Sequence, residues 1–224
     1  VADEQQAKLL QEAYQRFQAG ERVIPGTQAA GVGVSMASKL YANGKRFPLT
    51  LSLILLNIVL FPVGMGIDQG EFGALFVHMI FAGIENHGGE WYFLSLKQSL
   101  LQGEFWRLFT PMFIHFGWMH LVFNLLWTWE IGRRIELING AWLFVTVVMV
   151  SSLGANVTQY LMSGPSLFGG MSGVVFGLLG YSLVWSRLMP AQSTGLPKGI
   201  YVFMLIYLAL GFTGALDLLG LGNI

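Results

Sequence analysis

The sequence predicts an all-α, polytopic membrane protein, a helical bundle with five apolar spans. Three observations predict it. Hydrophobic residues make up 54% of the 224 and charged residues only 11%, against roughly 25% charged in an ordinary soluble domain. Five apolar runs approach the length needed to cross a bilayer core about 30 Å thick. Lys and Arg are distributed unevenly between alternate connecting segments, as in membrane proteins of fixed orientation. Composition also excludes chemistries. Net charge is zero, so nothing in the bulk charge favours nucleic acid. Cysteine is absent, which removes disulfides, thiolate zinc sites and cysteine nucleophiles together.

Residues 1–46 are polar and carry Lys8, Arg16, Arg22, Lys39, Lys45 and Arg46, six of the twelve Lys and Arg. They read as a cytoplasmic N-terminal region, and residues 47–224 as the membrane domain. No signal peptide is visible, since the polar stretch precedes the first apolar run. The chain opens on Val1 rather than Met, consistent with trimming at its start. Within this region "AKLLQEAYQRFQAG" places Leu10, Ala13, Tyr14 and Phe17 on one helical face and ends at Gly20. That face suits either a membrane-surface or partner-binding helix or the packing face of a small soluble domain.

Phe47–Ile67 is the first expected span, 21 residues rising about 31 Å. Asp68–Phe105 follows, mixed in character, with four Glu and two His. Its patches "FGALFVHMIFAG" and "WYFLSLKQSLLQG" are too short to span and suit short helices lying in the interface. The second span is expected around His115–Ile131 and the third around Ala141–Met162. The fourth is short, from Ser172 to about Trp185, and the fifth runs from about Gly199 to Leu216. With the N-terminus cytoplasmic, ten Lys and Arg lie inside and only Lys97 and Arg107 outside, which orients the bundle.

The short fourth run raises a question of depth. Ser172 to Trp185 is about 20 Å of helix, against a core of about 30 Å. Trp185 and Arg187 anchor its lower end, so Ser172 begins its helix roughly 10 Å below the outer surface. The loop "SGPSLFGG" must descend with it, and non-helical backbone at that depth needs protein or a water-filled cavity around it. Ser172 is a residue type that caps helices. The first amides of its helix lack helical partners and carry positive partial charge, suited to a developing oxyanion. Gly170 and Gly173 let backbone approach closely. The same pattern serves equally as a cap beside a small-residue packing pair, Gly173–Gly177.

"HFGWMHLVFNLLW" carries His115, His120 and Asn124. His120 and Asn124 are four apart and share a helical face. Polar groups within a span are costly and face the bundle interior, either as interhelical glue or as a site. Entering from outside at His115, the helix places them about 8 and 14 Å down, at the depth of the serine.

These residues resemble the rhomboid family of intramembrane serine proteases, in its bacterial six-span form. The resemblance covers about Phe105 to Asn223 and is carried by "FWRLFTPMFIHFGWMHLVFNLLW", "GRRIE" and "FGGMSGVVFGLLGY", with "HxxxxHxxxN" ahead of "GxSG" as the specific combination. It implies a rhomboid-like helical bundle in a bacterial plasma membrane, with Ser172 as nucleophile. It implies that His120, Asn124, the Ser172 backbone amide and Gly173 hold the oxyanion. Gly170, Phe176 and His115 match supporting positions, Phe176 beneath the catalytic imidazole and His115 in a structural role. Trp106 and Arg107 match a pair in the first outer loop, while His78 and His87 match no motif. The family's general base is a histidine on a sixth span, expected here beyond Ile224. The resemblance also expects that span to lie against the stripe Gly173, Gly177 and Gly180. An imidazole at His120 has the intrinsic basicity to serve as base, but the family pattern assigns it to the oxyanion.

The resemblance thus implies an endopeptidase that cuts transmembrane segments of other proteins within the lipid bilayer, with no metal or organic cofactor. Its alternative is an inactive rhomboid pseudoprotease that binds membrane clients. A transporter or proton channel is the remaining class, and it lacks the repeated halves and broken helix pairs such proteins show.

Overall fold

The computed structural model describes residues 45–65 and 72–213, together with Gln11, Glu12 and Gln15. The helix expected over residues 7–20 and the end of the fifth span lie largely outside the described residues. The chain divides into two compact units, residues 1–42 and 43–224, and the fold that follows is that of the second.

Helix α1 (Pro48–Leu60) opens with proline in its first turn, where the missing N–H costs nothing. Its N-terminal amides are satisfied from a distance. The buried Glu136 carboxylate accepts from Leu49 N (2.9 Å), Thr50 N (2.8 Å) and the Thr50 hydroxyl (2.7 Å), placing an anion on the positive end of the helix. The α-helix ends at Leu60, and Phe61–Gly64 forms one 3₁₀ turn around Pro62, which cannot continue the i to i−4 ladder. The expected first span is therefore shorter than Phe47–Ile67, and Ile67 itself lies outside the described residues.

The segment after the first apolar run holds α2 (Ala74–Met79), a two-stranded antiparallel hairpin of β1 (Ile84–His87) and β2 (Glu90–Phe93), and α3 (Leu96–Leu101). Two 3₁₀ turns follow, Phe105–Leu108 and Thr110–Phe113. The helices fall inside the two apolar patches, but the start of the second patch, Trp91–Phe93, is strand rather than helix. Ile84 pairs with Phe93 and His87 with Glu90 across the turn Gly88–Gly89, whose φ angles of 67° and 99° are those of a type I′ hairpin.

The second run begins later and ends later than expected. Gly117 is extended, and α4 starts at Trp118 rather than His115, running to Trp127. It continues through one π turn (Thr128–Gly132) into α5 (Arg133–Asn139) and stops at Gly140, φ 84°. The charges at 130–134 do not end the helix because they satisfy one another along it. Arg133 and Arg134 reach the Glu130 carboxylate at 2.7 and 2.5 Å, pairs of the i+3 and i+4 kind that support helix.

Helix α6 (Ala141–Ser163) matches the expected third run to within a residue. Among the described residues it is the one helix long and apolar enough to cross a bilayer unaided, with Pro48–Gly64 and Lys198–Gly211 as shorter apolar helices. Helix α7 (Ser172–Leu188) starts at the expected residue and runs three past Trp185. Helix α8 (Lys198–Phe212) begins one residue before Gly199, and Leu216 lies outside the described residues.

The core gathers Ile131 of the π turn, Ile135 of α5, Phe144 of α6, Met171 ahead of α7, and Val174 and Leu178 of α7. Helices α6 and α7 cross closely. A Cβ at Gly173 would overlap Ala155, and one at Gly177 would overlap Ser151, so two small pairs four residues apart face each other. This corrects the expectation for the glycine stripe. Gly173 and Gly177 are filled by α6, while among the described residues nothing lies within 4 Å of a Cβ at Gly180.

Candidate active site

Ser172 is the first residue of α7, after Met171 at the cap position, and no side chain caps the helix. The expected capping bond by Ser172 is therefore not made, since a capping side chain must sit one residue before the first helical turn. The residue is half-buried, and its hydroxyl has no hydrogen-bond partner among the described residues. The helix closes with Val175 N on Met171 O at 2.8 Å, so the amides of Ser172 and Gly173 belong to the opening turn that lacks helical acceptors.

The turn carrying the serine lies on the chain ahead of α4. Gly170 N donates to Pro111 O at 3.0 Å, and a Cβ at Gly169 would lie 2.8 Å from the Ile114 carbonyl oxygen. Gly170 has φ 116°, a conformation that only glycine adopts without strain. Its open side is occupied by α4. A Cβ there would sit 2.6 Å from His120 Cε1 and 3.7 Å from Asn124 Nδ2. His120 and Asn124 are both buried, each 5% exposed, and both edge onto the backbone two residues before Ser172.

Asn124 spends one N–H on its own helix, Nδ2 to His120 O at 3.0 Å, and keeps a second donor. His120 Nδ1 has no partner among the described residues. His115 precedes α4 and is wholly buried, its ring 5.0 Å from that of His120 at 61°. Its backbone also locks the end of the first apolar run, because a Cβ at Gly64 would overlap the His115 carbonyl. Phe176, one turn past the serine, faces Tyr207 of α8 with ring centres 6.5 Å apart.

The remaining motif residues have other partners. Trp106 Nε1 donates to His78 O at 3.0 Å, and Arg107 donates to Val77 O at 2.7 Å and Ile80 O at 2.9 Å. Thr110 adds a bond to Met79 O at 2.7 Å. Four consecutive carbonyls at the end of α2 are thus capped from residues 106–110, which ties α2 to the chain entering α4. His78 is exposed against Ala74 O at 2.8 Å, and His87 lies on the hairpin 3.3 Å from Glu85. Among the described residues no cluster of His, Asp and Glu could hold a metal ion.

The sequence reading gave no role to Glu136, which caps α1, nor to Asn57, a wholly buried amide in α1. A polar residue in "LNIVL" was the available signal for the second.

The Rhomboid domain family model matches residues 102–222, more than half of the chain. A rhomboid protease GlpG homolog of Cronobacter sakazakii is 40% identical over 114 residues, covering 51% of this chain and 41% of that protein. The rhomboid protease GlpG of Photorhabdus laumondii is 33% identical over 178 residues, covering 80% of this chain and 56% of that protein. The chain spans about half the length of the curated relatives it matches. The matched domain contains the serine turn, the His120–Asn124 face and the Trp106–Arg107 caps alike, and the chain belongs to the rhomboid family.

Proposed function

We propose that this chain is the core of a serine endopeptidase that cleaves transmembrane segments of other proteins within the bilayer. Ser172 Oγ attacks the scissile carbonyl carbon. The oxyanion is received by Asn124 Nδ2, the His120 ring and the opening amides of α7, groups that act most strongly in a water-poor site. The serine proton passes to a histidine outside these 224 residues and from there to the leaving amine, and water then releases the acyl group. Five spans, a cytoplasmic region over residues 1–46 and a membrane domain over 47–224 in a bacterial plasma membrane complete the proposal.

The observation that carries it is the packing of His120 and Asn124 against Gly170, which sets two side-chain donors beside the turn that presents Ser172. The test is labelling of the natural full-length protein with a fluorophosphonate probe, in detergent. The expected result is a single labelled band that Ser172→Ala removes. A native protein that never labels, yet captures transmembrane segments, would establish the pseudoprotease reading instead.

A further inference from the structure

An amide in the middle of an apolar helix is costly within a membrane and calls for a partner. Asn57, on α1, is 0% exposed. Its Nδ2 donates to Leu53 O of its own helix at 2.8 Å and to the sulfur of Met171 at 2.9 Å. Its Oδ1 has no partner among the described residues. Thr128, at the π turn after α4, is also 0% exposed, and its hydroxyl approaches the same sulfur at 4.0 Å. Two buried polar side chains from separate elements therefore converge on one methionine. That methionine, itself 0% exposed, is the residue before Ser172.

A thioether is a weak acceptor, so this arrangement is a poor way to satisfy an asparagine. Leucine at both positions would pack the same space without a buried amide. The turn explains what the arrangement does. Gly169 and Gly170 supply no side chain to hold it, and Gly170 is in a region that frees the backbone. Between Gly170 and the first turn of α7, Met171 is the one side chain that fixes the chain to the core. Methionine has three rotatable side-chain bonds and adapts readily, so left to apolar contacts alone it holds a turn loosely. A directional bond at its sulfur removes that slack.

We infer that Asn57 and Thr128 are positioning residues for Ser172, acting through the Met171 sulfur to fix the turn that aims the serine hydroxyl and opening amides. The role of Ser172 that this serves rests on the proposed function, but the tether itself does not. Small displacements of a reacting group cost up to about a hundredfold in rate, and a tether on the adjacent residue should supply part of that.

The experiment compares Asn57→Leu, Met171→Leu and the double variant with the native full-length protein in proteoliposomes. Two readouts are taken: cleavage of a transmembrane substrate, and amide hydrogen exchange over residues 169–174. Each single variant should lower kcat about tenfold with KM within about twofold, in line with misplacement rather than lost binding. Exchange over 169–174 should rise about tenfold while that of α6 stays unchanged. Met171→Leu conserves volume and keeps the fold if Asn57→Leu does not. In the double variant the second substitution should add little to the first, since both break one link. Native exchange in both single variants would overturn the tether. Faster exchange with native kcat would overturn its positioning role. Failure of the native protein to react at Ser172 would sink the proteolytic function, and exchange alone would still decide the tether.

Discussion

At Gly170 a missing side chain does the structural work. Its φ of 116° already disfavours any L residue, and the space a Cβ would take is held by the His120 ring. Gly170→Ala must therefore strain the turn, displace His120, or both, and strain of this kind costs about 1–3 kcal/mol. The expected outcome is a fall of at least tenfold in substrate cleavage, in line with the cost of misplacing reacting groups. A melting temperature lowered by a few degrees should accompany it, and both are measured on purified full-length protein. Asn124→Ala tests the donor it borders. Loss of one oxyanion donor costs about 10²–10³ in kcat in a well-studied soluble protease. The proposed site divides the load among several donors, so a smaller fall in kcat with KM little changed is expected from initial rates. The candidate residues stand out in the sequence because their spacing is local. His120 and Asn124 are four apart on one helix, and a lone serine between glycines opens another. Their meeting with Gly170, and the approach of Asn57 to Met171 across 114 positions, were not legible. Those contacts depend on how the loop before α7 folds back, and no short-range pattern encodes that.

Helices were read well where an apolar run ended at a residue that breaks helix by itself. Gly140 and Gly164 bound α6 with φ of 84° and 71°, and its predicted limits were right to a residue. They were read poorly where the stop depended on partners. The Glu130–Arg133–Arg134 ion pairs carry the helix on to Asn139, past the expected limit near Ile131. The hairpin was missed although "HGGE" offered a two-glycine turn, because the aromatic run after it also fits a short interfacial helix. The glycines of α7 form a packing stripe in the sequence, but the sequence does not say which helix fills it. That question yields a contrast. Gly177→Val would drive two methyl groups into Ser151, and overpacking costs typically about 1–3 kcal/mol. Gly180→Val meets no neighbour among the described residues and should change stability by less than about 0.5 kcal/mol, as surface substitutions do. Thermal unfolding in detergent separates the two, and equal melting temperatures would argue against the close α6–α7 crossing. At the other end of the bundle, Glu136→Gln keeps one acceptor for the α1 amides but removes the charge. A loss near 1 kcal/mol is expected, the size of a charge at a helix terminus.

The orientation of the whole bundle depends on a few cations close to the apolar runs. Charges far from a span contribute little, so Lys8, Arg16 and Arg22, at least 25 residues before Phe47, carry small weight. Lys39, Lys45 and Arg46 precede α1, Arg133 and Arg134 open α5, and Arg187 and Lys198 flank the turn from α7 to α8. Against these seven stand Lys97 and Arg107, between the first apolar run and α4. Arg107 is further discounted, because it is 4% exposed and bound to Glu104 and the carbonyls of α2. The bias for a cytoplasmic N-terminus is thus stronger than a bare count suggests. With the N-terminus cytoplasmic, as proposed, Ser172 would face outward and the hydroxyl cluster of Ser182, Thr194 and Tyr201 inward, and the serine would open toward the outer half of the bilayer. The absence of cysteine makes the test direct. Asn43→Cys and Gln192→Cys should resist a membrane-impermeant maleimide in intact cells and react once the membrane is opened. His87→Cys, at the exposed hairpin, should react from outside without permeabilisation. Labelling of Asn43→Cys in intact cells would invert the bundle and place the Ser172 turn in the cytoplasmic half of the membrane.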